Sequence, residues 1–288
     1  MASSKEGYTI VNLHNFKEKK VACLTLDVER DYGNLLDKPS YEALLHIGAL
    51  VDFLRNRDIP LTCFVQGSIF ETHPSELEKF TALDIEFELH SYSHSSPREI
   101  DMELEVRKGK EAYKRFLAKD PIGYRSPRGV IDKKDYKILA SHGFRFDSSI
   151  FPSLRPGVFN NLRKPTEPYV LNNHQMIEFP FTVFSKVIRI PIALSYIKLL
   201  GGPYLYFLKT FNLPKLIVFD FHLHDVFPLN SSNEIHLKKL SPIYRKTLKR
   251  IYQDKKHGLA ILDQFTAMLQ RKGYTFSKLV DVYEAISK

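Results

Sequence analysis

The chain has 288 residues, of which 43% are hydrophobic and 26% are charged. This composition is typical of a globular protein with a sizeable core and excludes a largely disordered chain. The 42 Lys and Arg residues against 33 Asp and Glu give a net charge of +9, but these charges are spread along the sequence. We therefore expect a solvated basic surface, with an anionic membrane or an anionic substrate as the alternative partner and no nucleic acid.

Targeting and redox signals are sparse. Met1–Gly7 lacks the apolar segment of a signal peptide, so a cytoplasmic protein is expected. The most membrane-like stretch, Val187–Leu208, is interrupted by charged residues, glycines and prolines, whereas a spanning helix needs about 20 apolar residues. Cys23 and Cys63 lie in apolar runs with no Cys-x-x-Cys pair, which predicts two buried core residues rather than a disulfide.

Strands and helices alternate along the predicted domain, which we place at residues 21–288 after an N-terminal extension at residues 1–20. The elements predicted in its first part are a strand at Val21–Leu26, a helix at Tyr41–Arg57 capped by Ser40, a strand at Leu61–Val65, a helix at Pro74–Ala82 and a strand at Ile85–Leu89. Such alternation is typical of parallel strands joined by crossover helices.

The alternation continues to the end of the chain. The later elements are a helix at Arg98–Ala118, a strand at Gly123–Arg125, a helix at Lys133–Ser141 closed by Gly143, strands at Phe144–Asp147, Gln175–Phe179 and Leu216–Phe221, a helix at Gly258–Arg271 and a strand, turn and helix over Thr275–Ser287. About seven strands result, with an insertion at about residues 154–214. No glycine-rich phosphate loop follows the first strand, so an α/β barrel, closed or slightly open, is favoured over a nucleotide-binding sheet.

Polar residues gather where the predicted strands end, which in such barrels is one mouth. Asp27 and Glu29 follow the first strand and point the same way, because side chains alternate along extended chain. His90 and His94 follow the third strand, and one carboxylate beside these imidazoles would complete a three-ligand catalytic metal site. The other carboxylate could take a proton from water. The alternatives are a chance His-x-x-x-His spacing and an exposed charged turn at residues 29–31.

Two further strand ends carry chemistry. Arg125, followed by Pro127, could form a bidentate pair with a neighbouring carboxylate, although Arg-x-Pro alone is more often a plain turn. The apolar run ending at Phe221 leads to His222, and His224 follows two residues later. Each of these histidines could be a packed core residue or a proton donor at the mouth, so both stay candidates.

Taken in order, five motifs resemble the polysaccharide deacetylases of the NodB-homology class, carbohydrate esterase family 4. They are Thr25-Leu26-Asp27-Val28-Glu29, His90-Ser91-Tyr92-Ser93-His94, Arg125-Ser126-Pro127-Arg128-Gly129, Asp147-Ser148-Ser149-Ile150-Phe151-Pro152 and Phe221-His222-Leu223-His224-Asp225. The resemblance covers about residues 21–225. The first motif departs from the usual adjacent aspartates and is similar to that of members with Asp-Val-Glu.

The resemblance implies a distorted (β/α)7 barrel and a role for each motif residue. It implies Asp27 as general base, Glu29, His90 and His94 as ligands of a divalent metal, Arg125 as the residue that orients Asp27, and His222 or His224 as general acid. The metal would be zinc, with cobalt or nickel as alternatives. Substrate contacts would come from Pro127, Arg128, Asp147, Ser148 and Phe151.

The implied activity is removal of an N-acetyl or N-formyl group from an amino sugar of a polysaccharide or a lipid-linked glycan. Two alternatives remain: a metal-free relative that acts on ring amides or only binds glycan, and a non-haem iron oxygenase, which the crossover pattern disfavours. The insertion could pack over the barrel, or it could form an apolar shelf near the mouth for a lipid-linked sugar or a membrane surface.

Overall fold

The computed structural model describes residues 7–11, 19–33, 35–95, 101–230, 242–253 and 258–287. The strands are β1 (Tyr8–Ile10), β2 (Lys20–Val28), β3 (Leu61–Val65), β4 (Ile85–Leu89), β5 (Gly123–Tyr124), β6 (Phe146–Asp147), β7 (Leu154–Arg155), β8 (Phe159–Asn160), β9 (Tyr169–Leu171), β10 (Met176–Glu178), β11 (Leu216–His222) and β12 (Tyr274–Phe276). Of the predicted N-terminal extension, residues 1–6 and 12–18 lie outside the described part, and β1 joins the main sheet.

The α-helices lie mainly between the parallel strands. They are α1 (Ile47–Asn56), α2 (Gly67–Thr72), α3 (Pro74–Glu78), α4 (Met102–Leu117), α5 (Lys133–Ser141), α6 (Leu194–Leu200), α7 (Gly202–Thr210), α8 (Leu223–Val226), α9 (Pro242–Leu248), α10 (Gly258–Arg271) and α11 (Leu279–Ile286). Short 3-10 turns occupy Glu42–His46, Lys79–Ala82 and Pro127–Gly129, and a π turn occupies Lys249–Gln253.

The main sheet runs in the order β1-β9-β10-β6-β5-β4-β3-β2-β11, with β12 paired to β2. Every pairing from β10 to β11 is parallel, and so is the pairing of β12 with β2. The strands β1 and β9 add an antiparallel edge. The predicted parallel α/β architecture is therefore confirmed.

The two ends of the parallel run approach each other without pairing as strands in the described part of the chain. Thr182 lies beyond β10, and its backbone N–H donates to the carbonyl of Val218 in β11 at 3.1 Å. The N–H of Val218 donates in return to Thr182 Oγ1 at 2.8 Å. The result is a distorted barrel whose seam is bridged by these contacts rather than by a continuous ladder.

The strand period divides the core into two layers. In β4, Phe87 and Leu89 belong to hydrophobic clusters, while Glu86 and Glu88 alternate with them. A separate cluster contains Cys23 and Phe64 from the sheet together with Leu279 and Val282 from α11. Cys23 and Cys63 are both buried and free, as predicted. Because the Leu279 N–H donates to Thr62 Oγ1 near the start of β3, α11 closes the end of the barrel opposite the mouth.

The predicted insertion is partly barrel wall and partly cover. Its strand β10 pairs with β6 in the parallel sheet. The inner faces of α6 and α7 pack into the main core, which supports the expectation that this segment lies over the barrel; the buried residues are Leu194, Ile197, Tyr204 and Leu208. Among the described residues, none of the helices is long and apolar enough to cross a membrane.

The start of the first helix differs from the prediction. A 3-10 turn precedes α1, and the carboxylate of Asp31 accepts the N–H groups of Glu42 at 2.7 Å and Ala43 at 3.2 Å. Ser40 donates to the same carboxylate at 2.6 Å, so it supports the cap that Asp31 provides. The helix predicted from Arg98 begins at Met102 with Asp101 as its N-cap, while residues 96–100 lie outside the described part.

Candidate metal centre and active site

The ends of β2 and β4 bring three predicted ligands together. Ligand atoms of Glu29, His90 and His94 all lie within 4.8 Å of one another, and all three residues are buried. Glu29 Oε2 is 3.1 Å from His90 Nε2 and also pairs with His94 Nε2. Three residues that are far apart in the sequence therefore converge on one point in the structure.

The turn that carries His94 is held by a residue that sequence reasoning missed. Glu105, buried on α4, accepts hydrogen bonds from the hydroxyls of Ser91 at 2.5 Å and Ser93 at 2.8 Å. It also accepts the backbone N–H groups of Tyr92 at 2.9 Å and Ser93 at 2.7 Å. Ser91 and His94 both have positive φ, so the carboxylate stabilises a turn that L residues rarely adopt.

The donor atoms of this group fit a divalent cation. His90 Nδ1 lies 2.8 Å from the carbonyl of Arg125, an acceptor only, so Nδ1 donates its proton there and Nε2, which faces Glu29, is the ring atom available to a cation. Burial would raise the pKa of Glu29, but His94 and His90 bring it well below its ordinary value, so the carboxylate is ionised. Two imidazole nitrogens and one carboxylate suit zinc, cobalt or nickel.

Asp27 lies beside this group and is oriented by Arg125. Arg125 Nη1 donates to Asp27 Oδ1 at 2.5 Å, and Asp27 Oδ2 is 3.9 Å from His90 Nε2. The sequence predicted that Arg125 forms a bidentate pair with one carboxylate. The structure differs, because the same Nη1 also donates to Asp220 at 3.1 Å. The Nε and Nη2 groups of Arg125 donate to Ser148 and Thr25, so they are not available for a second hydrogen bond to Asp27.

The arginine is enclosed rather than solvated. Its guanidinium carbon lies 4.0 Å from the ring centroid of Phe64 and 4.4 Å from that of Phe181. Asp220, which the sequence analysis did not single out, has a pKa raised to about 7 by burial and by the nearby charge of Asp27. Strand parity could have indicated it, because it precedes His222 by two residues on the same face of β11.

The structure separates the two candidate acids. His222 is half-buried, its Nε2 lies 3.7 Å from Asp27 Oδ2, and its Nδ1 lies 2.9 Å from Asp225 Oδ2. Burial lowers the pKa of His222, but Asp220 and the hydrogen bond to Asp225 raise it well above its ordinary value.

His224 lies in a different environment. The side chain is buried, and its Nδ1 accepts the backbone N–H of Tyr32 at 3.3 Å. Burial and the nearby His222 lower its pKa to about 4, so the ring is neutral at pH 7. Of the two histidines, His222 is therefore the one that is protonated and lies near Asp27.

The residues predicted to contact substrate divide into two groups. Arg128 and Phe151 line a cavity of about 560 Å³ that contains the ligand group and Asp27. Asp147 and Ser148 are fully buried and do not line it, so their predicted contact is corrected. Ser148 instead supports Arg125, and Asp147 accepts hydrogen bonds from its neighbour Ser149. Pro127 is also buried, and it begins the turn that contains Arg128.

The chain is similar in part of its sequence and in its fold to known proteins. Residues 17–146, from β2 to the start of β6, match the family model described as polysaccharide deacetylase. They include Asp27, Glu29, His90, His94 and Arg125. This part of the chain is therefore similar to a polysaccharide deacetylase domain. The later site residues, including His222, lie beyond the matched segment.

A curated relative and two solved structures are similar to the chain. A peptidoglycan deacetylase of Helicobacter pylori is 27% identical over 107 residues, which make up 36% of this chain and 36% of the relative. The match thus spans about a third of that relative's length. A provisionally assigned polysaccharide deacetylase from Mycobacterium smegmatis superposes with a TM-score of 0.62 at 16% identity, over 94% of this chain and 92% of that one.

An allantoinase superposes with a TM-score of 0.56 at 14% identity, over 92% of this chain and 89% of that one. At these identities the two solved structures support the fold alone. The site residues on this chain have to be argued from its own geometry.

Proposed function

We propose that this protein is a metal-dependent carbohydrate deacetylase that hydrolyses the N-acetyl or N-formyl amide of an amino sugar. The observation that carries the proposal is the convergence of Glu29, His90 and His94 within 4.8 Å, with Asp27 alongside. The family match over residues 17–146 supports a glycan substrate. A polysaccharide or a lipid-linked glycan would serve, and Val28 and Glu29 suit the subgroup with an Asp-Val-Glu first motif.

The three converging side chains would hold the metal, which we propose to be zinc, with cobalt or nickel as alternatives. A divalent cation there supplies Lewis acidity, which polarises the acyl carbonyl and acidifies water. Glu29 reaches this position with one methylene more than aspartate, while the Arg125 carbonyl fixes the ring of His90.

In this proposal proton transfer falls to Asp27 and His222, whose side chains lie 3.7 Å apart in the cavity. Asp27 takes a proton from the attacking water, and Arg125 holds that carboxylate in place. His222, kept protonated by its acidic neighbours, donates a proton to the leaving amine. His224 is neutral and faces Tyr32, so it does not serve as the acid.

The test is release of acetate or formate from a panel of N-acylated glycans, with and without chelator. We expect activity in the wild type, its loss on chelation and a decrease in kcat of about 10²–10⁴-fold for Asp27→Asn. The exposed Asp52 offers a matched control, Asp52→Asn, which should retain activity. Turnover that survives chelation would instead favour the metal-free alternative.

A further inference from the structure

The lining of the active-site cavity includes aliphatic side chains that amide hydrolysis does not use. Hydrocarbon side chains from three separate elements line it: the β7–β8 hairpin, α6, and the segment of α9 with the following π turn. The residues concerned are Leu154, Pro156, Val158, Leu199, Leu248 and Ile251. We call this set the aliphatic wall.

A sugar ring does not account for this wall. Sugar hydroxyls placed against aliphatic carbon lose their hydrogen bonds to water without gaining others, which costs free energy for each group. Aromatic faces suit sugar rings better, and the same cavity supplies Phe151, which stacks on Phe181 at 3.7 Å and faces Phe159 at 6.0 Å. The cavity lining therefore includes aromatic side chains suited to a sugar and aliphatic side chains suited to hydrocarbon.

We propose that the aliphatic wall binds a hydrocarbon chain attached to the sugar through its glycosidic oxygen. This inference rests on the proposed function, in which the acyl group is only acetyl or formyl and is too small to reach across the cavity. The wall is continuous with the site of Asp27 and Glu29 within one cavity of about 560 Å³, so one molecule can occupy both. The substrate class is then an amphiphilic N-acyl glycoside.

The wall offers a matched pair of neighbours for mutation. Leu199 lines the cavity on α6, whereas Leu200 is 37% exposed and does not line it. Leu199→Asp places a charge on the wall, and Leu200→Asp places the same charge one residue away. Leu154→Asp is a second wall variant, and it should be tolerated by the fold because Leu154 is 50% exposed.

The first measurement is equilibrium binding of octyl and methyl glucosaminide, below the micelle concentration of the octyl compound. These amines lack an acyl group, so their binding does not depend on turnover. We expect the wild type and Leu200→Asp to bind the octyl compound ~10-fold or more tightly than the methyl compound. In Leu199→Asp and Leu154→Asp the ratio should fall towards one.

The second measurement is acetate release from octyl and methyl N-acetylglucosaminide, where we expect a lower KM for the octyl substrate. Equal binding of both amines by the wild type would overturn the aliphatic wall, whatever the activity. The aliphatic wall would also be overturned if the wild type preferred N-octanoyl methyl glucosaminide to N-acetyl methyl glucosaminide but showed no preference for the octyl glycoside over the methyl glycoside. A retained binding preference without acetate release would reject the proposed function alone.

Discussion

At the scale of single residues, the site depends on side chains that never touch the reacting atoms. Glu105 accepts four hydrogen bonds from the turn between His90 and His94, two from backbone and two from hydroxyl groups. Without its carboxylate the part-buried N–H groups of Tyr92 and Ser93 would lack this acceptor, and the positive φ of His94 would lose its support. The residue thus acts on the metal ligands through the backbone.

We predict that Glu105→Ala weakens metal binding by about 10–100-fold, the usual effect of removing a supporting contact around a metal site. Competition with a chromophoric chelator would measure the dissociation constant. Glu111→Ala provides the control, because Glu111 is on the same helix and makes an exposed pair with Arg107. An unchanged dissociation constant in folded Glu105→Ala would show that the turn holds its shape by itself.

A second residue-scale prediction concerns pH. Burial raises the pKa of Glu86 from 4.5 to about 7, although Thr62 and the N–H of Val280 donate to its carboxylate. The folded state therefore binds the proton of the Glu86 carboxyl more tightly than the unfolded chain does. The resulting contribution to the free energy of unfolding is complete below about pH 4.5 and declines as the pH rises to about 7.

The Glu86→Gln variant cannot ionise at this position. Relative to that of the wild type, its free energy of unfolding should therefore increase by about 3 kcal/mol as the pH rises from 4.5 to 7.5. Urea denaturation at a series of pH values measures this difference. Glu111→Gln, which changes an exposed carboxylate, should parallel the wild type. Parallel curves for Glu86→Gln and wild type would mean that Glu86 titrates normally in the folded state.

Several of these residues could be predicted and others could not. Strand parity placed Asp27 and Glu29 on one face, and the ordered motifs supplied His90, His94 and Arg125. Glu105 carried no signal, because it looks like any other acid of an amphipathic helix until the turn above it is seen. The sharing of Arg125 between Asp27 and Asp220 likewise depends on the position of β11 beside β2.

At the scale of elements, the C-terminal helix has a structural task that its sequence only partly indicates. Leu279 and Val282 of α11 enter the cluster inside the barrel, and the first N–H groups of the helix donate to Thr62 and Glu86. The helix thereby fills the end of the barrel that lies opposite the mouth.

Leu279→Ala should lower the free energy of unfolding by about 2–5 kcal/mol, because the side chain is fully buried and its removal leaves a cavity. Leu45→Ala should change it by less than about 0.5 kcal/mol, since Leu45 is 70% exposed. Chemical denaturation of both variants gives the comparison. Equal losses would argue against α11 as an internal plug.

Element prediction succeeded where the pattern was local. The bounds of β3, β4, α5 and α10 agree with the sequence analysis because each element carries its own period and its own end signals. The helix α2 was missed, since it is short and begins with a glycine that disfavours helix. The glycine at the start of α2 is explained by tertiary packing. A Cβ on Gly67 would lie 2.9 Å from the Cα of Gly109, so the close approach of α2 to α4 requires glycine.

At the scale of the whole molecule, exposed apolar side chains gather on part of the predicted insertion. Tyr206, Phe207 and Phe211 are each about half exposed or more, and their rings contact one another in sequence along and after α7. Lys209 lies among them, and the chain has a net charge of +9. Apolar rings interleaved with cations suit the interface of an anionic membrane.

We therefore predict that the protein co-sediments with vesicles containing phosphatidylserine at low salt, and less so as the salt concentration rises. The double variant Phe207→Glu with Phe211→Glu should remain in the supernatant. Ile243→Glu, at an 83% exposed position on α9, is the control that should still sediment. Absence of the wild type from the pellet at low salt would remove peripheral membrane contact from the account.

The central claim is that Glu29, His90 and His94 hold one divalent metal ion, and the most direct measurement is the metal content of the purified protein by elemental analysis. We expect one equivalent of zinc, cobalt or nickel per chain in the wild type and a large loss in His94→Ala. His142→Ala, which alters a histidine paired with Glu103, should keep the full equivalent. A wild type that binds no stoichiometric divalent metal when supplied with it, or a His94→Ala variant that binds it normally, would contradict the account.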